Sequence, residues 1–293
     1  MPPLTPMSGS DTKAVLFADL LGFASLTENN ELESDRIRNA ERPLSLDIDT
    51  LLTAPPANPL TKTFTGFHYS LRWAIQLAQM KHPLTAITFS DAAFIATTHL
   101  FEAAKLAIYL MQSLLQQRIP LRIGIASGSF SAVRFRSDIA VDGGDHAAHF
   151  LGTGVVRSYR TERCGVTGLR ILLHPSAHAL LSDPAHNPLI LEDYIRHIAC
   201  SDEERNNPEN KVNVGYEIDY WHLKPTAEKD AWRALQDMWS VAPAYAVKHY
   251  EATAAAINRM RVSQGEPSLK RLRRRTLPRR NSQTVNVVSS GAA

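Results

Sequence analysis

Residues Ala14-Val-Leu-Phe-Ala18 form an unbroken apolar run that ends on one carboxylate, Asp19, and Leu20-Leu-Gly-Phe23 follows at once. A short apolar run closed by a glycine turn has the pattern of a fully buried strand. Asp19 then stands at the strand's C-terminal end, where the backbone leaves the sheet. Gly22 lets the chain turn tightly and lets a ligand come close to the backbone. Two readings are open at this point. A carboxylate at a strand tip, before a turn with free N–H groups, can hold a hard cation bound to phosphate oxygens. Alternatively, Asp19 caps the helix that follows.

The chain around this stretch has 293 residues, enough for one large domain or two small ones. Its apolar fraction of 44% and charged fraction of 21% are those of an ordinary soluble globular protein. Cys164 and Cys200 supply neither a disulfide framework nor zinc spacing, a usage that suits a reducing cytosol. Met1 to Ser10 lacks the basic and apolar stretches of a signal peptide. No apolar run approaches the roughly 20 residues of a membrane span. The net charge of +3 conceals an asymmetry, because Lys270 to Arg280 carries seven basic residues and no acidic one. Without it, 25 basic residues face 29 acidic ones, a net charge of −4. That segment reads as a solvated end rather than as a nucleic-acid or anionic-lipid site.

Apolar spacing along the chain predicts the elements. Ala14 to Asp19 is the first strand. Ser25 to Asp49 is polar with helical spacing and is broken at Pro43, with Pro55-Pro56 beyond it. Phe64, Phe67, Leu71, Ile75 and Ala78 mark an amphipathic helix over 64–80. Ile87 to Asp91 and Phe94 to Thr98 form a hairpin with Asp91 at its tip. Leu100 to Gln117 is a helix ended by Pro120. Leu121 to Gly128 is a central strand, and Ser129 to Phe135 returns beside it. Ala147 to Arg163 is a helix. Leu169 to Leu173 and Tyr216 to Leu223 are later strands, with a short helix over Ser176 to Leu181. Lys229 to Met260 is helical with an interruption near Pro243. Trp73, Tyr109 and Phe101 are expected in the core. This order is α+β and fits a ferredoxin-like βαββαβ arrangement with extra C-terminal helices. The expected division is a loose N-terminus (1–12), a main domain (13–225), C-terminal helices (226–264) and a basic, disordered tail (265–293).

In a ferredoxin-like sheet the first strand and the hairpin are neighbours, so Asp19 and Asp91 can face one point. Two carboxylates at close range repel, and divalent ions relieve this. Oxygen ligands favour Mg²⁺ or Mn²⁺ over Zn²⁺. Such an ion pair clamps a triphosphate and activates a hydroxyl for in-line attack. Solvated turn aspartates are the plainer alternative.

Four stretches resemble the signatures of class III nucleotidyl cyclases, in the family's order. Phe17-Ala-Asp-Leu-Leu-Gly-Phe-Ala-Ser-Leu-Thr27 is similar to Phe-Ala-Asp-Ile-x-Gly-Phe-Thr-x-Leu. Thr88-Phe-Ser-Asp91-Ala-Ala resembles the second-metal hairpin, usually Ile-Gly-Asp. Leu121-Arg-Ile-Gly-Ile-Ala-Ser-Gly128 resembles Arg-Ile-Gly-Ile-His-x-Gly. Gly152-Thr-Gly-Val-Val-Arg-Ser-Tyr-Arg-Thr-Glu162 is similar to Gly-Asp-x-Val-Asn-x-x-x-Arg-x-Glu. The resemblance covers residues 14 to about 163. It implies that Asp19, Asp91 and the Leu20 carbonyl hold two Mg²⁺ or Mn²⁺ ions. It further implies that the backbone from Leu20 through Gly22 to Phe23 cradles the β- and γ-phosphates, and that Arg160 stabilises charge growing on the α-phosphate. Lys224 falls where family lysines reach phosphates. The family's sites form between subunits, which implies a head-to-tail homodimer with two equivalent sites.

The departures carry information. The family's ribose-positioning asparagine is Val156 here. The two base-reading positions are Ile87 and His149, and Ile87 offers no hydrogen bond to a purine edge. The Phe-Ser-Asp hairpin, the single catalytic domain and the helical tail instead resemble the Pycsar-type pyrimidine cyclases of bacterial antiphage defence. That resemblance implies a cytoplasmic enzyme converting UTP to 3′,5′-cyclic UMP and pyrophosphate. A cytidylate cyclase, a purine cyclase with a rewired pocket and a degenerate nucleotide-binding module are the alternatives. Asp145-His146-x-x-His149 has metal-like spacing without a further soft ligand nearby.

Overall fold

The computed structural model describes residues 12–34, 58–78, 82–134, 148–186, 191–198, 214–221 and 225–273. The apolar run becomes strand β1 (Thr12–Leu20), with Ala14, Val15, Leu16 and Ala18 wholly buried. After the Gly22 turn comes a short helix α1 (Phe23–Asn29), then the long helix α2 (Pro59–Ala78). The hairpin is β2 (Thr85–Thr88) and β3 (Ala92–Thr97), followed by α3 (Leu100–Gln116) and β4 (Leu121–Ser129). The sheet order β2-β3-β1-β4, antiparallel throughout, is that of a ferredoxin-like unit. Beyond β4 the sheet continues through β7 (Ile171–Leu173), β9 (Tyr216–Ile218) and β8 (Ile195–His197) to seven strands. Helix α4 (Thr153–Glu162) makes the crossover from β4 to its parallel neighbour β7.

Side chains alternate across β1 and decide the two layers. Ala14, Leu16, Ala18 and Leu20 join the main core with α2 and α3, whereas Val15 and Phe17 pack with Phe94 on the opposite face. The main core also takes in helices α6 (Pro225–Val241) and α7 (Ala244–Ser263), which follow the short helix α5 (Pro175–His178) in the chain. These C-terminal helices are anchored to the loop before β7. Thr253 Oγ1 accepts from the Leu169 N–H at 2.7 Å and His249 Nδ1 accepts from the Gly168 N–H at 3.3 Å; Tyr220, just after β9, holds the same loop by donating to the Leu169 carbonyl at 2.9 Å. Past α7 the first basic residues are held too: Asn258 bonds the Leu269 backbone, and Leu269 and Leu272 pack on the core.

Three expectations need correction, and one further strand is new. The segment after β4 does not return beside it, because both edges of β4 are already taken by β1 and β7. Strand β5 (Ser131–Arg134) pairs instead with β6 (Ala148–Leu151) in a separate two-stranded sheet. The helix expected from Ala147 therefore begins only at Thr153. Gly152, at φ +144, makes the break, and a Cβ there would meet the Ser129 carbonyl oxygen at 2.0 Å. Trp73 is 39% exposed, on an outward stripe of α2 with Tyr69 and Leu77, since the inward face is set by Phe67, Leu71, Ala74 and Ala78. Strand β8, only Ile195-Arg-His197, is too short to show an alternating pattern in sequence. The helices expected in 35–49, together with Lys224, Asp145 and His146, lie outside the described residues.

Candidate active site

The register of β1 on β3 sets the site. Asp19 pairs with Ala92, and the Leu20 N–H donates to the Asp91 carbonyl at 2.9 Å, so the two aspartates arrive at the same end of adjacent strands. Asp91 follows directly on Phe89 and Ser90, whose hairpin tip is closed by the Phe89 N–H donating to the Ala92 carbonyl at 2.7 Å. His68 of α2 hydrogen-bonds the Ser90 backbone, pinning that tip from the other layer. On the other side the Leu21 N–H donates to the Pro120 carbonyl at 3.0 Å. Gly22 then adopts φ +79 and starts α1 without any side-chain cap. This settles one early alternative: Asp19 does not cap α1.

Asp19 lies on the face of β1 shared with Val15 and Phe17, which is the face α4 covers. The approach of α4 is close because glycines allow it. A Cβ on Gly124 would meet the Ser158 carbonyl oxygen at 2.3 Å and the Glu162 nitrogen at 2.6 Å. The C-terminal turn of α4 thereby delivers Glu162, 2% exposed, to the neighbourhood of Asp19. Arg122, the β4 partner of Asp19 in register, holds Glu162 through Nε–Oε1 at 3.2 Å and through the Glu162 carbonyl. Arg163 flanks Glu162 at 3.7 Å and lies over the Tyr159 ring, 5.0 Å from its centroid.

The electrostatics follow from this packing. Burial, then the negative charges of Glu162 and Asp91, push the Asp19 carboxyl from the ordinary 3.8 up to about 7, with Arg163 and Arg122 opposing. Burial also raises Glu162 despite its two arginines. Asp19 is thus a carboxylate that needs a positive charge beside it when ionised. That is the condition a hard cation satisfies, and the donor set is all oxygen. Among the described residues, no group of three or more His, Cys, Asp or Glu side chains is arranged to hold a metal ion. What this end of the sheet offers is two carboxylates, with the remaining positions of a cation open to water or phosphate oxygens, as Mg²⁺ commonly binds.

A pH dependence follows. Because the folded state holds the Asp19 proton more tightly than the unfolded chain does, its contribution to stability is present below about pH 4 and is lost as pH rises through about 7. In metal-free buffer the wild-type protein is expected to lose unfolding free energy between pH 5 and pH 8. Asp19→Asn is expected to lack that component. Urea unfolding of both at the two pH values checks it.

The other predicted residues are placed as follows. Ile87 lies half-buried in β2 opposite Phe94, and His149 lies in β6 opposite Val133. Val156 is 48% exposed on α4. Arg160, one turn further along, is exposed and has no ion-pair partner among the described residues. Around them runs an apolar face. Phe17, Phe94 and Phe150 stack in sequence, with centroids 4.4 and 4.9 Å apart, and Phe89, Leu151 and Tyr159 are exposed at its border. Arg122, Glu162 and Arg163 join the site in the structure without being among the residues expected there. Their signal was present, since Arg122 and Glu162 fall on the Arg of the central-strand motif and the terminal Glu of the helix motif.

No family model matches the chain, and no curated protein matches it. Solved structures similar to it include the guanylate cyclase domain of RhGC from Catenaria anguillulae in complex with GTP, at 13% identity and a TM-score of 0.46, covering 71% of this chain and 96% of that one. The non-canonical dimeric guanylyl cyclase domain of the RhoGC fusion protein from Blastocladiella emersonii aligns at 12% identity and 0.46, over 71% and 96%. The adenylyl cyclase CyaB from P. aeruginosa aligns at 15% identity and 0.40, over 71% and 93%.

Proposed function

We propose that this protein is a class III nucleotidyl cyclase, acting in the cytoplasm on a pyrimidine nucleoside triphosphate, with UTP as substrate and 3′,5′-cyclic UMP and pyrophosphate as products. The observation that carries the reading is the meeting of Asp19 and Asp91 at one end of β1 and β3, beside an uncapped glycine turn. The four sequence motifs converge on that point from distant parts of the chain. When bound there, Mg²⁺ or Mn²⁺ would lower the pKa of the ribose 3′-hydroxyl and offset charge on the departing pyrophosphate.

The residues divide the work. Asp19, Asp91 and the Leu20 carbonyl hold the cations. The backbone from Leu20 to Phe23, with Gly22 free of a Cβ, faces the β- and γ-phosphates. Arg122 and Arg163 hold Glu162, so that this buried carboxylate does not compete for the cations. Arg160 is exposed and has no ion-pair partner among the described residues, so it is available to the α-phosphate at a second subunit's site. The exposed apolar residues Val156 and Tyr159 share its helix, as an interface would require. A head-to-tail homodimer with two equivalent sites satisfies this arrangement.

The pyrimidine preference is supported by Ile87, whose side chain cannot hydrogen-bond a purine edge, and by the likeness of the Phe-Ser-Asp hairpin, single catalytic domain and helical tail to Pycsar-type cyclases. An antiphage signalling role is the reading that the Pycsar-type resemblance supports. Incubation of the purified protein with each of ATP, GTP, UTP and CTP and Mn²⁺, followed by chromatography and mass analysis, tests the proposal. Cyclic UMP from UTP is the expected result. Cyclic AMP or cyclic GMP as the main product overturns the pyrimidine assignment, and no cyclic product from any of the four favours a nucleotide-binding module.

A further inference from the structure

Beside the Gly22 turn lies a cavity of about 520 Å³, whose lining does not include Asp91. One wall is Leu21, Gly22 and Leu26, and the opposite wall comes from the C-terminal helix pair, through Tyr245, His249 and Tyr250. A Cβ built on Gly22 would sit 3.5 Å from the Tyr245 hydroxyl, so the two walls meet at the turn itself. The volume falls within the range of small-molecule sites, about 300–1,000 Å³.

The charged groups of the lining are donors; beside them stand Thr63, whose hydroxyl both donates and accepts, and Gln117, whose amide N–H goes to Ser70 and Ser113 and leaves its carbonyl as an acceptor. Lys62, exposed on α2, brings an ammonium to the edge. Arg118 adds a guanidinium, although Asp237 holds it at 2.9 Å and the Gln116 carbonyl takes another of its donors. His249 accepts the Gly168 N–H at Nδ1, which leaves its ring proton on Nε2. Burial, with Arg122 and Lys248 nearby, holds His249 down to about 4, so the ring is neutral at pH 7. Burial keeps the Tyr250 phenol protonated, pushed up to about 12, so it too is a donor. Among the described residues, no Asp or Glu lines the cavity. The rest of the surface is aliphatic and aromatic, from Leu21, Ile119, Val241 and Ala246 among others.

We infer that this cavity is a binding site for a small amphipathic anion, a carboxylate with an apolar body. Its head meets Lys62, the His249 Nε2–H and the tyrosine hydroxyls, and its body lies against Leu21, Ile119 and Ala246. The inference does not depend on the cyclase reading, because none of these side chains is assigned a part in that chemistry. Its occupant would touch the turn that carries the phosphate-facing backbone. This gives the C-terminal helices a task beyond packing.

The test uses the full chain and 8-anilinonaphthalene-1-sulfonate, an apolar anion whose fluorescence rises on burial. Saturable enhancement at one probe per chain is expected, displaced by decanoate and not by decylamine at equal concentration. Ala246→Trp fills the cavity and should abolish the enhancement. Lys62→Glu, a surface change that leaves the fold intact, should weaken binding at least fivefold. It carries the test alone if Ala246→Trp unfolds. No saturable enhancement with wild type, undiminished binding by folded Ala246→Trp, or undiminished binding by Lys62→Glu overturns the proposal, as does equal displacement by decylamine. Loss of cyclase activity in Asp19→Asn with probe binding unchanged would separate this site from the catalytic one.

Discussion

Asp19→Asn is expected to abolish nucleotide cyclisation, by roughly 1,000-fold or more, while the protein stays folded and, in metal-free buffer at pH 8, unfolds at the same or a higher temperature than wild type. The two halves of this result have one cause. Cation-bound oxygens stabilise charge in the transition state by several kcal/mol, and about 1.4 kcal/mol is tenfold in rate. The same carboxylate is a burden to the empty fold, because it is half-buried beside Glu162 and Asp91 and is pushed up to about 7. An amide of equal shape removes that charge. A residue kept only for stability would show the reverse pattern, with activity lost in step with unfolding. Steady-state product formation and calorimetric unfolding on one preparation distinguish the two.

Gly124→Ala is expected to destabilise by roughly 3 kcal/mol, about 5–10 °C in unfolding temperature for a chain of this size. A methyl group there meets backbone on α4, the Ser158 carbonyl oxygen at 2.3 Å and the Glu162 nitrogen at 2.6 Å, and backbone cannot rotate away. The helix must lift from β4. Glu162 and Arg160 ride on that helix, so the variant should also lose activity beyond what its remaining folded fraction explains. Thermal unfolding, and turnover per folded molecule measured well below the transition, check both. A Cβ on Gly128 would likewise meet the Gly154 nitrogen at 2.5 Å, so the close approach extends along the helix.

These contacts explain which parts of the molecule could be read in sequence. Helices α2 and α3 carry a strong local period and β1 is an unbroken apolar run; these, the β2–β3 hairpin and the C-terminal helix pair each appear within a few residues of their expected places. The pairing of Asp19 with Asp91 was legible because hairpin and strand must be neighbours in a ferredoxin-like order. What could not be read is set by long-range competition. Ser131–Arg134 has the composition of a strand that would join β4, yet β7 occupies that edge. Ala148–Leu151 has helical composition, and its pairing with β5 overrides this until Gly152 releases the chain. Trp73 was expected inside because large aromatics usually are. Its position between the inward residues of α2 places it outside instead. At the site, Glu162 and Arg122 belong to different motifs, and only their packing across Gly124 makes them one electrostatic unit with Asp19.

Electron paramagnetic resonance titration of Mn²⁺ into the protein, with and without a non-hydrolysable UTP analogue, measures the cation site itself. The account predicts tight Mn²⁺ binding by wild type in the presence of the analogue, and its loss in both Asp19→Asn and Asp91→Asn. Unchanged Mn²⁺ affinity in either variant would contradict it.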